Sequence, residues 1–149
     1  MVALTFVTMF VFVVLMLSMS LTAGTQNSFS ALAKQWRWLF LVTMLSQVGL
    51  LPVMLDMTPE PWKWLAFLGV GSIVFCGGAT IFDHKLDWWT HMISAAVALT
   101  VLTAWVMVIN DKCLLPLIVC MACGRERWQW RLETGIVISV YMAIIFHLF

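Results

Sequence analysis

The sequence predicts an all-α fold, a polytopic transmembrane helix bundle, and three observations carry that expectation. The chain of 149 residues is 63% hydrophobic and only 10% charged, with a mean hydropathy of +1.01. That leaves too few polar side chains to cover a water-soluble globule of this size. Several apolar runs approach the roughly 20 residues that a helix needs to cross ~30 Å of hydrocarbon. Tryptophans also gather in pairs at the ends of these runs (Trp36 and Trp38, Trp62 and Trp64, Trp88 and Trp89, Trp128 and Trp130), where amphipathic rings settle at the membrane–water interface.

The first run, Val2 to Ala23, carries no charge. Ser18, Ser20 and Ala23 place small residues near its end, but no basic stretch precedes it, so it reads as a mature span and not a secretory signal. The second, Trp38 to Leu55, is interrupted only by Ser46, Gln47 and Pro52, and the third, Trp64 to Phe82, is charge-free. The fourth, Trp88 to Ile109, holds one ionisable residue, His91. The last, Leu132 to Phe149, opens beside Glu133 and nearly closes with His147. Between them lies CLLPLIVCMACG, residues 113 to 124, which rises only about 18 Å as a helix and stops short of a full crossing. Extended through RERWQW to Trp130, with Arg125 and Arg127 snorkelling to the headgroups, it becomes a sixth span; otherwise it is a re-entrant or surface segment.

Cytoplasmic loops are enriched in Lys and Arg, and this favours about six spans over five plus a re-entrant segment. Six spans put Lys34, Arg37, Lys85, Arg125, Arg127 and Arg131 on one face against Lys63 and Lys112 on the other. The expected location is the cell (inner) membrane, a multi-pass plasma membrane protein whose basic face is cytoplasmic. No internal repeat or linker divides the chain, so residues 1–149 read as a single transmembrane helical bundle. A net charge of +1 and the lack of a basic run interleaved with aromatics exclude nucleic acid as a partner. The expected partners are the lipid bilayer and a lipid or membrane protein within it. Cys76, Cys113, Cys120 and Cys123 all lie in apolar runs and read as small hydrophobes without a disulfide framework.

Chemistry concentrates in IFDHKLDWWTHMISAA, residues 81 to 96. Asp83, His84, Lys85 and Asp87 make a tight turn, with Asp87 placed to cap the following helix. His91 lies one turn inside the span, and Ser94, Ala95 and Ala98 follow it at helical spacing. A small-residue stripe lets helices approach closely, and an ionisable group within a span faces the bundle interior and needs a partner, so His91 is expected to point inward. Its expected partners are a backbone carbonyl, Asp83, Asp87 and Glu133. Three histidines suffice in number for a catalytic zinc, but with six spans His147 falls at the far end of the bundle from His91. Cys120-x-x-Cys123 has no second pair to complete a zinc site, and Ser46, Gln47, Ser139 and Tyr141 read as hydrogen-bonding glue between helices.

The segment GGATIFDHKLDWWTHMISAA, with Gly77, Gly78, Phe82, His91 and Ala95, resembles the DUF998-like and Frag1/DRAM-like families of small polytopic membrane proteins. The tail RWQWRLETGIVISVYMAIIF, with Trp130, Glu133, Ser139 and Tyr141, and the stretch GTQNSFSALAKQWRWLF are similar to uncharacterised integral membrane proteins of gut Bacteroidetes. The resemblance implies an integral bundle of about six helices. These families are grouped distantly with seven-helix membrane hydrolases of the ceramidase and adiponectin-receptor kind, which hold zinc through histidines from several helices. This chain has no H-x-x-x-H pair, so neither the zinc nor the hydrolase activity is carried across.

The expected function is therefore non-enzymatic: binding of a lipid or membrane partner through an inward polar cluster of His91, Asp83, Asp87 and Glu133, without metal or cofactor. The competing expectation is a metal-dependent membrane lipid amide or ester hydrolase in which His91 is a metal ligand or general base and a carboxylate completes the site. Transport lacks its usual sequence pointer, interrupted helices at matching positions in two halves.

Overall fold

The computed structural model describes residues 2–23, 32, 35–82, 87–123 and 127–149. Helix α1 runs Val2–Ala23, α2 Arg37–Ser46, α3 Leu51–Met57, α4 Lys63–Phe82, α5 Asp87–Asn110, α6 Leu115–Ala122 and α7 Trp128–Leu148, with 3₁₀ turns at Gln47–Leu50, Glu60–Trp62 and Asp111–Leu114. There is no strand among the described residues, and the fold is all-α. Five segments are long and apolar enough to cross a membrane: Val2–Thr22, Arg37–Met57, Glu60–Ala79, Trp89–Ala122 and Trp128–Leu148. A bilayer is the solvent that suits such a chain, because its outer surface carries exposed Phe10, Phe67, Phe75, Ile93, Met107 and Phe146.

Local chemistry explains where the helices break. Pro52 lies in the first turn of α3 and Pro116 in that of α6; lacking an N–H, each leaves a carbonyl of the preceding turn unbonded, and the backbone there tightens to 3₁₀. Most hydroxyls bond within their own helix: Ser18 donates to the Val14 carbonyl at 2.7 Å, Thr100 to Ala96 at 2.8 Å and Thr103 to Leu99 at 2.7 Å. Self-satisfied in this way, they sit in an apolar medium without needing a ligand.

Long-range contacts fix the path of the chain. At one end of the bundle, Trp105 Nε1 donates to Thr58 Oγ1 at 2.8 Å, His147 Nε2 lies 3.8 Å from Asp56 Oδ2, and the rings of Phe6 and Phe149 are 6.1 Å apart. At the other end, His91 meets Cys76 and the ring of Phe40. The 34-residue stretch Trp89–Ala122 is not a straight rod. Asn110 is extended, at φ −165° and ψ 104°, and its side chain accepts from the Lys112 N–H at 3.2 Å, which starts a new helical leg. That leg, α6, pairs with α7: a Cβ on Gly135 would stand 2.8 Å from the Leu117 Cα and 3.3 Å from the Cys120 Cβ. Because α7 ends beside Asp56, α6 runs back toward the His91 end. The sixth span expected over residues 113–130 is shorter than expected: the 3₁₀ turn Asp111–Leu114 and α6 make this leg, and Trp128 and Trp130 already belong to α7.

With lipid outside, helices gain little hydrophobic energy from associating, and close van der Waals packing carries more of the stability. Gly77 lets α4 sit directly on α2, for a Cβ there would lie 2.7 Å from the Met44 Cβ. The core has two parts. One surrounds Trp105 with Val53, Met54, Leu65, Ala66 and Ile144; the other, nearer the His91 end, joins Phe12, Met16, Met19, Leu32, Phe40 and Met44.

Candidate functional site

Helices α4 and α5 form an antiparallel pair, and residues at matching distances from its turn face each other. Cys76 stands six residues before the end of α4 and His91 four residues into α5, and the two meet. His91 is buried at 4% exposure. Its Nδ1 lies 3.2 Å from the Cys76 carbonyl oxygen and 3.3 Å from Cys76 Sγ, and its Nε2 is 3.9 Å from the same sulfur. Ser94, one turn on, donates to the His91 carbonyl at 2.9 Å. The stripe His91, Ser94, Ala98 is buried along its length, which lets α5 approach its neighbours closely.

Beside this pair is a cavity of about 90 Å³ lined by residues of α1, α2, α4, α5 and α7. Its walls are largely apolar, with Phe12, Phe40, Met44 and Leu102 among them, and its polar atoms come from Gln47, Cys76 and Glu133. A separate void of about 20 Å³ shares Gln47, Ile73 and Leu102 with it and is also lined by Tyr141. Between the two voids Tyr141 Oη donates to Gln47 Oε1 at 3.1 Å, while Gln47 Nε2 donates to Ser46 Oγ at 3.2 Å.

Of the residues expected in the polar cluster, His91 and Glu133 lie among the described side chains. His91 is inside, and its partner is Cys76, through both carbonyl and thiol, with the expected backbone-carbonyl bond made across the helix pair. Glu133 is on the cavity wall that Cys76 shares. Asp83 lies outside the described residues, as do His84 and Lys85, and Asp87 is described only as the first residue of α5. Tyr141 and Gln47 do join two helices, but Ser139 Oγ is buried without a hydrogen-bond partner among the described residues. Among the described residues no three His, Cys, Asp or Glu side chains converge as a metal site. His147 sits beside Asp56 at the opposite end of the bundle from His91. Cys120 is half-buried and Cys123 exposed, both as free thiols.

Sequence reasoning missed Cys76, because a cysteine in an apolar run is indistinguishable from a small hydrophobe. The signal that finds it is positional: once the turn between the third and fourth runs is placed, Cys76 falls opposite His91. Exposed Trp38, Trp64, Trp89 and Trp128 lie at helix ends, and the rings of Trp62 and Trp64 are tilted by 37° with centroids 6.5 Å apart. Comparison with protein families, with curated proteins and with solved structures finds no match to this chain.

Proposed function

We propose that the protein is a multi-pass protein of the cell membrane that binds a lipid inside its helix bundle, without metal or cofactor. The lipid's apolar chain enters the cavity between α1, α2, α4, α5 and α7, and its polar part lies toward Glu133 and the His91 end. The observation that carries this reading is the cavity itself: apolar side chains make nearly all of its wall, and a few convergent polar groups fix one side of it, the pattern of a small-molecule site. At about 90 Å³ it accepts a stretch of acyl chain and not a headgroup, so most of the lipid remains in the bilayer. The basic residues Arg37, Arg127 and Arg131 belong to the same end of the bundle as His91, which supports a cytoplasmic orientation for that end. The six-leg path through the membrane belongs to this proposal as well.

The test is photo-crosslinking of the purified protein in nanodiscs, using an ether-linked phospholipid with a diazirine near the chain terminus. Labelled peptides are expected to contain Leu99, Leu102 or Val137, and Ala98→Phe, which fills the cavity, is expected to lower that labelling at least tenfold. Labelling confined to outward residues such as Phe75 and Ile93, unchanged in Ala98→Phe, would refute the reading.

A further inference from the structure

We propose that the start of α7 binds the phosphate of an anionic phospholipid through Arg131 and Thr134, with Arg127 beside them. The site stands apart from the lipid cavity, whose wall includes Glu133, Ile136 and Val137 of α7 but neither Arg131 nor Thr134. Three observations converge on it. Arg131 Nη1 and Thr134 Oγ1 are both buried without a hydrogen-bond partner among the described residues; three residues apart on one helix, they are neighbours, with roughly 5–6 Å between their Cβ atoms. Arg131 also forms no ion pair among the described residues, where Glu60 with Lys63 and Asp56 with His147 pair at the opposite end of the bundle. Finally, α7 begins without the groups that usually neutralise a helix N-terminus. No side chain caps it and its first turn holds no acidic residue, while Arg127 occupies the N-cap position and Arg131 follows one turn on. Cations are disfavoured at that end of the helix dipole, so positive charge accumulates there from the helix and from two arginines. Of the nearest acidic residues, Glu133 lies on the cavity wall, a face that residues two apart on a helix do not share. Glu126, set in the sequence between Arg125 and Arg127, lies outside the described residues.

Helical side chains lean toward the N-terminus of their own helix. Arg131 and Thr134 therefore reach toward the level of exposed Trp128, where amphipathic rings mark the headgroup region. A buried donor left unpaired is costly, and the acceptor that a bilayer offers a snorkelling arginine at this depth is a lipid phosphate. The planar guanidinium fork matches two phosphate oxygens, and the Thr134 hydroxyl donates to the same group. Gly135, one turn beyond Arg131, packs against Leu117 and Cys120, so α6 forms one flank of the site. A choline headgroup would bring its quaternary ammonium close to Arg127 and Arg131, whereas a glycerol headgroup brings no second cation, and the site accordingly prefers the anionic lipid.

The test is the thermal midpoint of the purified full chain in a neutral detergent with phosphatidylglycerol, phosphatidylcholine or inorganic phosphate added, because a ligand that binds only the folded state raises the midpoint. Phosphatidylglycerol is expected to raise it by about 4 °C or more, and phosphatidylcholine by less than half as much. Arg131→Gln is expected to lose most of the phosphatidylglycerol shift, Arg131→Lys, which keeps the charge but not the fork, about half of it, and Thr134→Val a smaller part. Arg37→Gln, at the same end of the bundle but on α2, is expected to keep the shift. In detergent alone Arg131→Gln is expected to melt no lower than the unaltered chain, since it removes an unpaired cation. Equal shifts with the two lipids, or a phosphatidylglycerol shift that survives Arg131→Gln or is lost equally in Arg37→Gln, would overturn the proposal. A shift reproduced by inorganic phosphate at the same concentration would assign the site to a free anion and overturn it as a lipid site. Ala98→Phe, which fills the cavity, is expected to leave the phosphatidylglycerol shift in place, so this proposal and the cavity reading stand or fail separately.

Discussion

Trp105 is completely buried, and its indole N–H finds one acceptor, Thr58 Oγ1, at 2.8 Å. Thr58 in turn donates to the Met54 carbonyl one turn earlier in its own leg, so one short chain of hydrogen bonds ties α5 to the end of α3. Thr58→Val keeps the shape and strands the indole donor, and a buried donor without a partner costs about 1–3 kcal/mol. Tyr141→Phe removes only the bond to Gln47, and interhelical bonds of that kind in membranes average about 0.6 kcal/mol. Equilibrium unfolding of both variants in mixed micelles is expected to rank Thr58→Val as clearly the more damaging; the reverse order would mean that the Trp105 contact is not maintained in the membrane. At this scale the sequence was informative about His91 and uninformative about its partner. A lone imidazole in a span demands a partner on electrostatic grounds, but which residue supplies it depends on how two helices register, and no periodicity in either helix encodes that.

Helices α6 and α7 show how much one missing side chain decides. At Gly135 an added Cβ would stand 2.8 Å from the backbone of Leu117, and backbone does not move aside as a flexible side chain does. Gly135→Ala is therefore expected to destabilise the protein by about 1–3 kcal/mol through overpacking. At Gly78 nothing lies within 4 Å of the added methyl, and Gly78→Ala is expected to stabilise by up to about 1 kcal/mol through helix propensity alone. Thermal midpoints in a single detergent test the contrast, and a shift of the same sign in both variants would contradict the packing. The long helices were legible from their apolar runs, whose ends agree with the structure to within a few residues. The turn after Ile109 was legible too, as the polar break before residue 113; its form was not, because nothing in Asn-Asp-Lys announces an extended Asn110 whose side chain accepts from the Lys112 N–H.

For the whole molecule, the bundle has an apolar circumference and two polar ends of different character. Arg37, Arg127 and Arg131 stand at the end that holds His91, while Asp56, Glu60, Lys63, Asp111 and Lys112 mix signs at the other. The exposed pairs there, Glu60 with Lys63 and Asp56 with His147, contribute little to stability but mark where the chain meets water. Composition alone made the membrane class plain, since no other solvent accommodates this hydropathy. The site was harder to read, because a cavity is a property of five helices together and belongs to none of their sequences. Filling it by Ala98→Phe is accordingly expected to leave the fold's orientation intact while abolishing lipid crosslinking, an outcome checked on the same nanodisc preparation.

The central claim is that a six-leg path holds this cavity within the membrane, with the His91 end on the cytoplasmic side. Single cysteines placed by Arg37→Cys, Lys63→Cys, Lys112→Cys and Arg127→Cys in a cysteine-free background, reacted with an impermeant maleimide from each side of oriented vesicles, test it directly. The account predicts that positions 37 and 127 react from the cytoplasmic side and positions 63 and 112 from the opposite side. Reaction of position 127 together with position 112 would contradict it, because α6 would then turn back without crossing and α7 would enter the membrane from the wrong face to build the cavity.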